Sequence, residues 1–267
     1  MTLTRKDIAA AGGALFEAER KRRQIGLLTL DHPGMDMGDA YAVQADFCAR
    51  KEAAGARRIG WKIGLTSKAM QDALGIDTPD SGLLYDDMRF ETGGTVPAGR
   101  FIQPRIEAEI AFVMRKGLQG PITRAEVIGA TEYVAPSLEI LDTRILRRDP
   151  ATGAARKIFD TIADNAANAG IVLGEARHRI GDVDLRWTGA IVARDGAVEE
   201  TGLGAGVLND PVMGIVWLVN RLAEYAAGIE AGEVVLSGSF VRPVEAPPGC
   251  RIEADFGGFG SVSIRFG

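Results

Sequence analysis

The stretch Pro104-Arg105-Ile106-Glu107-Ala108-Glu109-Ile110-Ala111-Phe112-Val113-Met114 decides how the chain is organised. Side chains alternate across a β-strand, so Ile106, Ala108, Ile110, Phe112 and Met114 share one face, and Glu107, Glu109, Ala111 and Val113 share the other. Both faces are largely apolar, which predicts a strand covered on both sides. The same alternation sets two carboxylates side by side, roughly 7 Å apart at a strand rise of about 3.3 Å per residue. An unpaired buried carboxylate is costly, so the pair either keeps a proton or surrounds a cation. A partly solvated strand face is the plainer alternative.

A third candidate ligand, Glu139, follows in Ala135-Pro136-Ser137-Leu138-Glu139-Ile140-Leu141. Three carboxylates without a nearby histidine make a hard, all-oxygen site, which favours Mg²⁺ or Mn²⁺ over zinc. The two histidines, His32 and His178, sit in polar, turn-like contexts and read as surface residues. Catalytic groups are therefore expected among carboxylates, lysines and a metal.

Composition narrows the function class. With 267 residues the chain can hold one large domain, or a core with a small extra piece. A net charge of −5, with no basic run interleaved with aromatics, argues against nucleic acid as a partner. The run Arg20-Lys21-Arg22-Arg23 reads as a solvated helix face. Neither a signal-like segment nor an eighteen-residue apolar window occurs, so a cytoplasmic protein without a membrane contact is expected. Cys48 and Cys250 have no metal-type spacing and suggest no disulfide framework.

Along the chain, residues 4–30 and 38–54 read as amphipathic helices, and residues 1–56 as a helical lead-in to a domain spanning 57–267. Gly60-Trp61-Lys62-Ile63-Gly64-Leu65-Thr66 is β-rich, and a lysine among apolar neighbours needs either an anion or a route to water. Ser67 caps a predicted helix over 68–74, and residues 75–82 form a loop rich in turn formers and acids. Thr123 and Glu126 predict a capping box for a helix running to about Tyr133. Arg144, Arg147, Arg148, Arg156 and Lys157 make a basic stretch that either folds over an anionic substrate or is merely solvated. Asp195-Gly196 predicts a hairpin over 186–203, and Asp210-Pro211 a helix to about Tyr225. Gly202-Leu203-Gly204-Ala205-Gly206 lacks the context of a dinucleotide fingerprint, and Gly238-Ser239-Phe240 that of a nucleophile elbow.

Several segments together resemble one family. They are Gly60–Thr66, Ile76-Asp77-Thr78-Pro79-Asp80-Ser81-Gly82, Pro104–Glu109, Leu138-Glu139-Ile140-Leu141-Asp142, Asp164-Asn165-Ala166-Ala167-Asn168-Ala169-Gly170 and Ser237-Gly238-Ser239-Phe240. The pattern is similar to the hydratase and decarboxylase branch of the fumarylacetoacetate hydrolase superfamily. Over Arg156–Gly170 it is nearest the hydratases of 2-oxo-hept-3-ene-1,7-dioate in the homoprotocatechuate pathway. The resemblance implies an α+β fold, a mixed β-roll or sandwich with flanking helices. It implies Glu107, Glu109 and Glu139 as ligands of Mg²⁺ or Mn²⁺, Lys62 and Asp80 as catalytic groups, and Lys62 and Ser239 as substrate contacts, while the basic stretch offers Arg156 and Lys157 as partners of a far carboxylate, with Phe159 as a further expected substrate contact. Hydration of a 2-oxo or 2-hydroxy dienoate is the expected activity. A 4-oxalocrotonate-type decarboxylase and a 2-hydroxypentadienoate hydratase are the alternatives. Homo-oligomers, often pentamers or decamers, and a possible partner decarboxylase are further implications.

Overall fold

The computed structural model describes residues 2–68, 71–72, 76 and 78–267. Helix α1 (Arg5–Lys21) starts at Thr4, whose hydroxyl accepts from Asp7 N while the Asp7 carboxylate accepts from Thr4 N. A short α2 (Leu28–Asp31) and a long α3 (Met37–Ala53) follow, the latter boxed by Asp36 and Asp39. The single helix expected over 4–30 is thus two helices. Arg22 turns left-handed, with φ 53°, and Ile25 bridges to Ile145. Tertiary hydrogen bonds, Ile25 N to Arg144 O and Leu146 N to Ile25 O, outweigh helical propensity there. The helix predicted over 68–74 lies largely outside the described residues.

The chain then enters β1 (Arg58–Gly64), β2 (Asp80–Tyr85), β3 (Arg89–Glu91), β4 (Thr95–Val96) and β5 (Arg105–Met114). The helix α4 (Arg124–Ala130), capped by Thr123 and Glu126 as expected, stops sooner than predicted, because β6 (Thr131–Leu141) already begins. After α5 (Ile158–Ala163) come β7 (Asn168–Leu173), the hairpin β8 (Gly189–Arg194) and β9 (Ala197–Leu203), and α6 (Pro211–Ala223). The last strands are β10 (Val234–Leu236), β11 (Val244–Glu245), β12 (Arg251–Asp255) and β13 (Ser261–Phe266).

Eight strands form one sheet in the order β2-β1-β10-β5-β6-β7-β3, with β11 also paired to β5, and β4-β13-β12-β8-β9 form a second. The fold is α+β. Ile106, Ala108, Ile110, Phe112 and Met114 of β5 pack in one core with Val192, Ile252, Ala254, Val262 and Ile264 of the second sheet and Val212, Ile215 and Val219 of α6. Truncating a core aromatic such as Phe112 to alanine costs about 3–5 kcal/mol. On the opposite face, Ala111 and Val113 pack with Leu84, Tyr85, Ile171 and Cys48, so α3 covers that half of the strand. The remaining half of this face carries Glu107 and Glu109.

A third core joins Leu15, Phe47 and Val43 of the N-terminal helices to Ile145, Ile162 and Ala163. The glycine run 202–206 serves close packing: a Cβ on Gly202 would lie 1.8 Å from Phe240 O, and one on Gly204 would lie 2.0 Å from Leu185 O.

Candidate active site

Register brings the carboxylates together. In the antiparallel β5–β6 pair Glu107 stands opposite Glu139, and Glu109 opposite Ser137. Directly opposed side chains on one face are near neighbours, and one oxygen from each of Glu107, Glu109 and Glu139 lies within 4.8 Å of the others. Glu109 and Glu139 are fully buried. Gly238 N donates to Glu109 Oε2 at 2.8 Å, and Asn168 Nδ2 donates to Glu139 Oε1 at 2.8 Å. Glu109 Oε1 and Glu139 Oε2 are buried without a hydrogen-bond partner among the described residues.

Lys62 reaches this cluster from β1. Its Nζ lies 3.3 Å from Glu139 Oε1 and donates to Ala166 O at 3.0 Å. Gly64 pairs with Asp80 across β1 and β2, and Asp80 is buried. A Cβ on Gly64 would sit 2.2 Å from Asp80 Oδ1 and 3.1 Å from Lys62 Nζ, so the carboxyl and the amine flank a spot that glycine leaves open.

The electrostatics follow from four acids and one amine crowded into a largely buried space. Burial, then the Glu139 charge, pushes Glu107 up to about 8, with Lys62 opposing. Burial, then Glu139 and Glu107, holds Glu109 well above the ordinary carboxylate range. Burial also raises Asp80, although Lys62 opposes it. For Lys62 burial acts downward, but Glu139, Asp80, Glu107 and Glu109 outweigh it and hold the amine above its ordinary value. Orphaned carboxylate oxygens and an excess of buried negative charge are what a hard divalent cation would relieve. The donor set fits Mg²⁺ or Mn²⁺ and lacks the nitrogen or sulfur that zinc prefers.

Glu109 and Glu139 are buried beside Glu107, while Lys62, Asp80 and Glu107 line a cavity of about 390 Å³, within the usual range for small-molecule sites. Leu141, Ala167, Phe240 and Val241 give it apolar wall, and Arg156 lies in its lining. Arg156 Nη1 donates to Thr143 Oγ1, and among the described residues it forms no ion pair. Ser239 also lines the cavity, but its hydroxyl closes its own turn, donating to Val241 O at 2.8 Å and accepting from Val241 N. A larger open groove beside Arg58, Glu230 and Glu233 is far less suited to chemistry, because those charges pair with one another.

Two expected substrate contacts fall elsewhere. Lys157 is exposed, and its N–H is capped by Asp160 at the start of α5. Phe159 packs against the N-terminal helices. Helical rotation beginning at Lys157 turns both away from the side on which Arg156 enters the cavity. His178 stacks on Phe259 and bonds its carbonyl at 2.9 Å, and neither histidine lines the cavity.

Sequence reasoning missed Thr66, which lines the cavity and whose buried hydroxyl has no partner among the described residues, and the pair Arg242–Glu200 at 2.6 Å in the same lining. Nothing local marks Thr66. It also missed the roles of Ala166 O and Asn168, although their amide-rich segment stood out.

No family model matches the chain. It is 50% identical over 253 residues to a 2-oxo-hept-4-ene-1,7-dioate hydratase of Escherichia coli, covering 94% of this chain and 95% of that protein. The structure of 4-oxalocrotonate decarboxylase from Pseudomonas putida G7, complexed with magnesium and adipate, superposes with a TM-score of 0.92 at 37% identity over 99% of both chains. A fumarylpyruvate hydrolase from Pseudomonas aeruginosa, solved with Mn²⁺ and pyruvate, shares the fold at 16% identity and a TM-score of 0.57, over 79% of this chain and 89% of that one. With half its residues matched end to end to a hydratase, and the same fold as a decarboxylase, the chain is an enzyme of the hydratase and decarboxylase branch of the fumarylacetoacetate hydrolase superfamily.

Proposed function

We propose that the protein is a divalent-metal-dependent hydratase of seven-carbon 2-oxo-heptene-1,7-dioates, acting in aromatic catabolism. The observation that carries this is one cavity lined by Lys62, Asp80 and Glu107 of the carboxylate cluster together with Arg156, which among the described residues has no ion-pair partner. The 50% identical relative, named for a dioate, and the relative solved with adipate support a dicarboxylate.

Glu107, Glu109 and Glu139 would hold the cation, which when bound supplies Lewis-acid polarisation of a chelating 2-oxo acid. Lys62, kept charged by its acidic surroundings, holds the C1 carboxylate or the C2 oxygen and stabilises negative charge there. The 4-ene, the 2-hydroxy-2,4-diene and the 3-ene differ only in where one proton sits. Loss of the enol proton and protonation at C5 give the conjugated 3-ene. Water oxygen then bonds to C4, one of its protons is removed, and C3 takes a proton, giving the 4-hydroxy-2-oxo acid. Asp80 is suited to the water proton, since a carboxyl raised toward neutrality is a stronger base than an ordinary one. Arg156 would pair with the far carboxylate.

The relative of TM-score 0.92 favours one second reading, decarboxylation of a 4-oxalocrotonate-type acid. Purified protein with Mg²⁺ separates the two: loss of the dienol or enone absorbance without CO₂ supports hydration, and stoichiometric CO₂ assigns the decarboxylase. Homo-oligomeric assembly in the cytoplasm, with a decarboxylase as a possible partner, belongs to the same proposal, and sedimentation of the purified protein tests the assembly. Among the described residues no helix is long and apolar enough to cross a membrane.

A further inference from the structure

We propose that the buried pair Arg144–Asp164 is a positioning element for Lys62, acting through the turn Asn165-Ala166-Ala167. This rests on Lys62 taking part in the reaction. A lysine head rides on a flexible four-carbon stem, so its place depends on what it touches. Lys62 touches Glu139 and the carbonyl of Ala166. Ala166 is the middle of three consecutive non-glycine residues in the left-handed region, with φ of 51°, 51° and 58°. L-residues avoid that region in runs, and such conformations persist only where the surroundings hold them.

The hold is visible on both flanks of the turn. Arg144 Nε donates to the Asp164 carboxylate, Nη2 donates to Asp164 O at 2.6 Å, and Nη1 donates to Asn168 O at 3.0 Å. One guanidinium thus clamps the residue before the turn to the residue after it. Within the turn, the Asn165 side chain pairs with the Leu83 backbone in both directions, at 2.8 and 2.9 Å. Past the clamp, Asn168 Nδ2 holds Glu139, the second group that Lys62 meets. Arg144 is 1% exposed. It lies over Phe47 of α3 and 3.5 Å from Glu19 of α1, so the N-terminal helices seal the clamp. A buried ion pair is weak evidence for stability, and geometric specification is the role these contacts describe.

The test measures Tm, Mg²⁺ affinity, kcat and KM for wild type, Ala166→Gly, Arg144→Lys, Lys62→Ala and each of the first two combined with Lys62→Ala. Glycine accepts a positive φ without strain, so Ala166→Gly is expected to keep Tm within a few degrees while lowering kcat about tenfold or more through a misplaced amine. Arg144→Lys keeps the charge but loses the fork that spans both flanks, and kcat is expected to fall at least as far. In the Lys62→Ala background neither substitution lowers the residual rate further. Wild-type kcat in Ala166→Gly, or the same fold-loss with and without Lys62, overturns the proposal. If Arg144→Lys does not fold, the Ala166→Gly pair of measurements decides alone. Should Lys62→Ala itself lose less than threefold, it is the assignment of Lys62 that fails, which these arms distinguish.

Discussion

The carboxylate cluster, which meets the cavity through Glu107, and Arg156, which lines the same cavity, are built differently. Glu107, Glu109, Glu139, Lys62 and Asp80 stand on paired strands, where register sets their spacing. Arg156 stands on the segment between β6 and α5, held by the Arg148–Ala155 bridge, its own N–H to Arg147 O and its contact with Thr143. Proton transfer and charge stabilisation fail when groups shift by about 1 Å, whereas a guanidinium on a flexible side chain can follow a substrate carboxylate to keep its hydrogen bond. We therefore expect the chemistry at the strand-borne, rigid end and chain-length selectivity at the loop-borne end, Arg156.

The largest expected effect tests the rigid end. Glu107→Gln, Glu109→Gln or Glu139→Gln should abolish turnover, with a weakened Mg²⁺ isotherm in calorimetry, because each removes one unit of ligand charge. Full activity and unchanged affinity in any two would dissolve the cluster as a metal site. Next, Lys62→Ala should lower kcat by on the order of 10² to 10⁴ with the fold intact by circular dichroism. A drop below threefold would return Lys62 to a packing role.

At the loop-borne end the expected effect is smaller. A charged hydrogen bond is worth about 1.5 to 3 kcal/mol, so wild type should favour the seven-carbon diacid over a five-carbon monoacid by roughly tenfold to hundredfold in kcat/KM. Arg156→Ala should erase that preference and Lys157→Ala should keep it. Loss of the preference in Lys157→Ala instead would break the distinction between cavity and surface drawn from α5.

The smallest effect is thermal. In the metal-free protein the Glu107 carboxyl is raised from 4.5 to about 8, so its folded form binds a proton that the unfolded form releases. That contribution to stability is full below 4.5 and is lost as pH rises through about 8. A cation replaces the proton, so saturating Mg²⁺ should raise Tm by a few degrees at about pH 8.5 and by less at about pH 6. Equal shifts at both values would mean the cluster is already ionised without metal.

Much of this was legible beforehand, and the reason lies in the range of each interaction. Alternation in β5 follows from backbone geometry two residues at a time, so its two covered faces and its carboxylate pair could be read directly, as could the Thr123–Glu126 box, the Asp195-Gly196 hairpin and the Asp210-Pro211 helix start. Glu139 and Lys62 stood out from their neighbours and the resemblance added Asp80, but only strand register set Glu139 opposite Glu107 and drew Lys62 and Asp80 around Gly64. What stayed hidden depended on contacts between residues far apart in sequence. Ile25 leaves its helix to bridge Ile145, Arg156 enters the cavity while Lys157 and Phe159 turn away, and Arg144, read only as part of a basic loop, is buried across a left-handed turn. A charge run has no local geometry that says which of its members faces solvent. That choice is made when distant apolar groups close over some of them, and the chain on its own carries no period that encodes it.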